Sequence, residues 1–74
     1  MRFPTREIVE RVRAEYPVGC RVRLERMNDP YVTIPRGTEG TVIGVDDTAS
    51  IMVNWDNGSG LNVIYNHDYA VRIK

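Results

Sequence analysis

The spacing of apolar residues changes once along the chain, from four positions to two, which predicts a single helix followed by several short strands. Apolar residues recur at a spacing of four from Ile8 through Val12 to Tyr16, and charged side chains fill most positions between them. This spacing predicts an amphipathic helix over residues 5–15 with one apolar stripe. Pro17 then ends the helix, because proline lacks the N–H that a further turn needs.

From Cys20 onward the apolar positions alternate with a period of two or form β-branched runs, as in half-buried strands. The predicted strands cover residues 20–27, 39–46, 50–55, 61–64 and 69–73. Asn57 and Gly58 favour a hairpin between the third and fourth strands, since both tolerate positive φ. The side chains expected in the core are Val22, Leu24, Val42, Ile51, Val53 and Trp55.

Five short antiparallel strands, a long first loop over residues 28–38 and a helical turn over residues 65–68 predict a mainly β fold. This order is that of a small Src-homology-3-like (SH3-like) barrel preceded by one helix. Residues 1–19 form the helix and its connector, residues 20–74 form the barrel, and together they make a single domain. The sequence leaves open whether the helix packs on its own barrel or on a neighbouring copy.

Chain length argues against catalysis. A chain of 74 residues buries only about 60% of its unfolded surface, which leaves little room for a catalytic cleft. The single histidine, His67, has no nucleophile at a suitable spacing, and Cys20 has no second thiol with which to hold a metal. We therefore expect no enzyme activity, no cofactor and no metal. No signal peptide or membrane span is evident, so the cytoplasm is the expected compartment.

Ten basic and ten acidic residues balance, but they are unevenly distributed. Residues 1–26 hold seven arginines against four glutamates, a net of +3, and residues 27–74 carry a net of −3. Within the basic part, a possible nucleic-acid-binding face comprises Arg11, Arg13, Arg21 and Arg23. Arg21 and Arg23 share one strand face about 7 Å apart, close to the spacing of successive phosphates.

Aromatic residues outside the strand pattern indicate a different surface. Tyr31 and Pro35 lie in the long loop, where functional residues are concentrated in many folds. Tyr65 and Tyr69 flank the predicted helical turn. These four residues are the candidate partner-binding site.

Several motifs resemble a bacterial family, the domain of unknown function 4314 family, which has an SH3-like fold. The matching segments are Tyr16-Pro17-Val18-Gly19, the arginine-rich strand 21–27, Met27-Asn28-Asp29-Pro30-Tyr31, residues 35–42 and residues 53–58. The resemblance covers residues 16–73 and implies a fold, a bacterial or mobile-element context and no established activity. A weaker similarity to the barrels of ubiquitin-ligase scaffolds, which bind peptides, favours protein binding.

The leading hypothesis is a non-catalytic module that binds protein or peptide in an accessory or regulatory role. A polyproline groove is not expected, because Trp55 closes the third strand and points inward, whereas SH3 domains use a tryptophan that opens it. One alternative is an auxiliary nucleic-acid-binding barrel that uses the arginine face. Another is a structural domain for homo-oligomerisation.

Overall fold

The computed structural model describes residues 4–28 and 34–74, and these form one helix and four antiparallel strands. The elements are α1 (Arg6–Glu15), β1 (Arg21–Arg26), β2 (Glu39–Val45), β3 (Ile51–Trp55) and β4 (Tyr69–Arg72). Each lies within one residue of a predicted boundary at either end. The mainly β class with one helix at the front is confirmed.

The four strands form an open sheet in the order β3-β2-β1-β4. β2 pairs with β3 on one side and with β1 on the other, while β4 pairs with β1. In the described parts of the chain β3 and β4 stay at opposite edges and do not close on each other. The predicted five-stranded SH3-like barrel is therefore not confirmed, because the described strands are four in number and form an open sheet.

The predicted fourth strand, residues 61–64, forms only an isolated bridge between Val63 and Ile51. The backbone groups on either side of Val63 are used elsewhere. The indole Nε1 of Trp55 donates to the carbonyl oxygen of Leu61 at 2.8 Å. The carbonyl oxygen of Ile64 accepts from the amides of the following turn at 2.9 and 3.0 Å. The carbonyl oxygen of Leu61, which the next step of the pairing would need, is thus bound by the indole of Trp55, and pairing with β3 is limited to the bridge at Val63.

The core lies between the inner face of the sheet, α1 and the segment that carries Val63. All six residues expected there are buried, and Val22, Leu24, Val42 and Val53 are the largest of the fully buried side chains. Gly40 pairs with Trp55 across β2 and β3 and gives the tryptophan ring space. A Cβ on Gly40 would lie 2.9 Å from Cε3 of that ring and 2.8 Å from the carbonyl oxygen of Asn54.

Helix α1 packs on its own sheet. The Oγ1 of Thr5 accepts from the amide of Ile8 at its first turn, and Val9 and Val12 on its inner face are buried. The Nε of Arg13 donates to the carbonyl oxygen of Val45 at 3.1 Å. The helix and the sheet therefore form one packed unit within the chain.

Candidate functional site

A cleft of about 320 Å³ lies between the C-terminal end of α1, the start of β4 and the segment before β4. Its apolar lining consists of Val12, Ala49, Ile51, Val63 and Ala70. All five of these residues are buried. Three tyrosines, Tyr16, Tyr65 and Tyr69, line the cleft as well, and we call it the tyrosine cleft.

The turn before β4 positions two of these tyrosines. The amides of His67 and Asp68 both donate to the carbonyl oxygen of Ile64, at 3.0 and 2.9 Å. The carboxylate of Asp68 in turn accepts from the amide of Ile64 at 3.0 Å, so the turn is closed from both sides. Tyr65 and Tyr69 flank this turn, which places both at the same cleft. Tyr65 is half-buried against the core, whereas Tyr69 is 55% exposed.

The third tyrosine comes from the end of the helix. Tyr16 is the C-cap of α1, and its hydroxyl donates to the carbonyl oxygen of Ala70 in β4 at 3.2 Å. Burial raises the pKa of the Tyr16 hydroxyl, and the neighbouring acidic groups, Glu15 foremost and then Tyr69, raise it further. Tyr16 thus stays a neutral hydrogen-bond donor and joins the two walls of the cleft.

The turn also holds the start of the long loop. The amide of Asn28 donates to the carboxylate of Asp68 at 2.8 Å, and its side-chain Nδ2 donates to the carbonyl oxygen of His67 at 2.8 Å. The Nε2 of His67 lies 3.2 Å from the carbonyl oxygen of Asn28, which accepts its proton. These three contacts fix Asn28 beside the turn. They also give the His67 side chain a hydrogen-bond partner in the backbone.

The structure brings together two of the four predicted partner-binding residues, Tyr65 and Tyr69. Pro35 is exposed but does not line the tyrosine cleft; its carbonyl oxygen accepts from the amide of Thr38 in a turn before β2. Tyr31 lies outside the described residues. Sequence reasoning assigned Tyr16 only to the apolar stripe of the helix and missed its place in the cleft. Its position as the last residue of that stripe, directly before Pro17, was the available signal.

The predicted nucleic-acid face does not form one surface. Arg21 and Arg23 lie on the outer face of the sheet, whereas Arg13 docks α1 and also contacts Asp47 at 3.0 Å. Arg11 is exposed on the helix.

On the outer face each arginine has a carboxylate partner. Arg21 binds both carboxylate oxygens of Asp56 and lies 3.6 Å from Glu39. This hydrogen bond from Arg21 is the main cause that lowers the pKa of Asp56. Arg23 contacts Glu25 at 3.1 Å, and Arg36 approaches the same glutamate at 3.8 Å. Three arginines thus face three carboxylates, and little net positive charge is left for phosphates.

Other chemistry-bearing residues are dispersed. Cys20 is buried at the start of β1, and burial raises the pKa of its thiol although Arg72 acts in the opposite direction. Within residues 4–28 and 34–74, no three His, Cys, Asp or Glu side chains gather where they could hold a metal ion. Over the same residues, no helix combines the length and apolar character needed to cross a membrane.

The sequence model of one family, the domain of unknown function DUF4314, matches residues 5–73. Because the match covers nearly the whole chain, the protein belongs to this family. The matched region includes α1, all four strands and every residue of the tyrosine cleft. No curated protein matches the sequence significantly.

Proposed function

We propose that the protein is a non-catalytic interaction module that binds a peptide segment of another protein in the tyrosine cleft. The observation that carries the proposal is the cleft itself, in which a buried apolar floor lies beside the exposed ring of Tyr69. An accessory or regulatory role belongs to the same proposal, in the bacterial or mobile-element context that the family resemblance implies.

The dimensions and lining of the cleft support a peptide ligand. A volume of about 320 Å³ lies at the lower end of the range typical of binding pockets, so it suits one or two side chains of a longer ligand. Tyrosine rings supply a large apolar contact area together with a hydroxyl, which is why tyrosine is enriched at protein interfaces. The rigid turn that carries Tyr65 and Tyr69 lowers the entropic cost of binding.

Hydrogen bonds next to the cleft also support the proposed peptide-binding site. Asn28, the last described residue before the long loop, is bonded to His67 and Asp68 of the turn. A peptide in the cleft therefore lies beside the turn that Asn28 also contacts, and Tyr31, which is outside the described residues, stays a predicted part of the site. The helical turn before the last strand and the long loop after the first strand are also the basis for proposing an SH3-like arrangement.

The test is selection of a random displayed peptide library against the immobilised protein, followed by affinity measurement on variants. We expect Tyr69→Ala to weaken the selected peptides at least about tenfold, as for an aromatic hot spot. Val18→Ala is the matched control, because Val18 is 74% exposed and does not line the cleft. Equal binding by the wild type and Tyr69→Ala would show that the cleft is not the binding site.

A further inference from the structure

The tyrosine cleft combines aromatic rings with negative charge. Tyr16 at the end of α1, Tyr65 in the turn and Tyr69 at the start of β4 line the same space. The face of a tyrosine ring carries negative electrostatic potential and attracts ammonium or guanidinium groups. A site lined by three such rings favours an organic cation over a neutral side chain of the same size.

Two carboxylates and a helix end add to this potential. Glu15, the last residue of α1, lines the cleft, and so does Asp68. The C-terminal end of a helix carries partial negative charge from its unpaired carbonyl groups. Burial is the first cause that raises the pKa of Tyr16, and the negative charge of neighbouring Glu15 is the second.

Two arginines at or next to the cleft reduce this negative potential. Arg26 also lines the cleft, next to Tyr69 in the strand register, and it is exposed. Arg72 donates from Nη1 to the carbonyl oxygen of Glu15 at 3.3 Å, which leaves the carboxylate of Glu15 outside that contact. Among the residues that line the cleft, two carboxylates face one guanidinium, so the lining has a net charge of −1.

We propose that the cleft takes the side chain of a lysine or arginine from the bound peptide, with the cation against the tyrosine rings and near Glu15. This inference rests on the proposed function, because it specifies the ligand of the same site. The aliphatic stem of such a side chain covers the apolar floor, while the charged head stays near the rim.

The experiment compares matched peptides. From the displayed library, the peptide that depends most strongly on Tyr69 is synthesised with arginine at its basic position, with citrulline in that place and with glutamate in that place. We expect citrulline, which keeps the shape and loses the charge, to lower affinity about 5- to 30-fold. Glutamate is expected to lower it further.

Variants of the protein test the contribution of the Tyr69 ring and that of the Glu15 charge separately. Tyr69→Phe retains an aromatic face and is expected to keep the preference for the basic peptide, whereas Tyr69→Leu is expected to lose it. Glu15→Gln is expected to weaken the basic peptide about two- to fivefold and to leave the citrulline peptide unchanged. The opposite ranking of the two Tyr69 variants would contradict the proposal.

The outcomes distinguish this inference from the proposed function. Selected peptides that need Tyr69 but carry no basic residue, or that bind equally well with citrulline, would overturn the cation preference and leave peptide binding intact. Selected peptides that carry an essential acidic residue would point to Arg26 and would also overturn it. A library that yields no Tyr69-dependent peptide would overturn both.

Discussion

The hydroxyl of Tyr16 donates to the carbonyl oxygen of Ala70 at 3.2 Å and thereby ties the end of α1 to β4. Pro17 follows directly in the chain, so this bond fixes the point at which the helix leaves the sheet surface. The same tyrosine lines the cleft. Docking of the helix and the shape of the proposed binding site therefore depend on one side chain.

Removing this hydroxyl is expected to loosen the helix. Tyr16→Phe keeps the ring and loses the hydrogen bond, and we expect the free energy of unfolding to fall by about 1 kcal/mol. Amide hydrogen exchange in α1 should accelerate more than exchange in β2. Tyr69→Phe is the control, since its exposed hydroxyl should contribute less than about 0.5 kcal/mol. Equal stability of Tyr16→Phe and the wild type would contradict the role of this bond.

A methyl group on Gly40 is expected to destabilise the sheet. Its Cβ would lie 2.6 Å from Cγ1 of Val53 and 2.8 Å from the carbonyl oxygen of Asn54, so side chain and backbone must both move. We expect Gly40→Ala to lower the free energy of unfolding by about 1–3 kcal/mol. Denaturant unfolding followed by the fluorescence of Trp55, the only tryptophan of the chain, measures this directly.

Gly60→Ala provides the matched control for Gly40→Ala. No atom lies within 4 Å of a Cβ at Gly60, and its φ lies outside the positive range. This variant is expected to change stability by no more than about 1 kcal/mol, with either sign. If the Gly40→Ala and Gly60→Ala proteins had the same free energy of unfolding, the space around Gly40 would be larger than these distances indicate.

The indole N–H of Trp55 is expected to hold the segment before the turn. Trp55→Phe removes the bond to the carbonyl oxygen of Leu61 and leaves a cavity in the core. We expect a loss of about 2–4 kcal/mol. Of the two residues in the isolated bridge, Val63 and Ile51, the amide of Val63 should show the larger increase in hydrogen exchange. Unchanged protection at Val63 would contradict this account of the isolated bridge.

Asp46 is expected to make the free energy of unfolding depend on pH in the acidic range. Burial alone would raise the pKa of its carboxyl, but hydrogen bonds from Thr48 and Ser50 outweigh burial and hold it below the usual 3.8. The unfolded chain therefore binds more protons near this pH, and the contribution of Asp46 is fully present above the unfolded pKa. It is lost as pH falls through the lower folded value. Stability should fall between about pH 5 and pH 3.

The stability gap between the wild type and Asp46→Asn tests this assignment. We expect a gap of about 1 kcal/mol at neutral pH that narrows steadily below about pH 5. Asp47→Asn is the control in the same turn, because the ion pair of Asp47 with Arg13 is exposed on the carboxylate side and should contribute little at any pH. A gap for Asp46→Asn that stays constant down to pH 3 would mean that another carboxyl group causes the acid sensitivity.

The sequence predicted the helix and four strands because each depends on a local period. Ile8, Val12 and Tyr16 define a helical stripe, and the alternation from Cys20 to Leu24 defines a strand face. Residues 61–64 misled the prediction, because their apolar content was read as a strand. Which carbonyl Trp55 binds is a tertiary property, and its indole takes up the carbonyl of Leu61 that further pairing with β3 would need.

The site was only partly predictable for a similar reason. Tyr65 and Tyr69 stand out because they flank a turn, whereas Tyr16 reaches the cleft only after the helix docks. Pairing of Arg21 with Asp56 joins residues 35 positions apart, which no local pattern reveals. The sequence therefore suggested that the arginines of β1 are available to bind nucleic acid, whereas in the folded sheet Arg21 and Arg23 are paired with carboxylates.

The most direct test of the proposed site is a two-dimensional amide NMR titration of the labelled protein with the basic peptide selected from the library. The account predicts that the largest shifts fall on Val12, Tyr69 and Ala70 around the tyrosine cleft, and that Tyr69→Leu abolishes them. Shifts concentrated on the outer sheet face near Arg21 and Arg23, with Val12 and Ala70 unchanged, would contradict it.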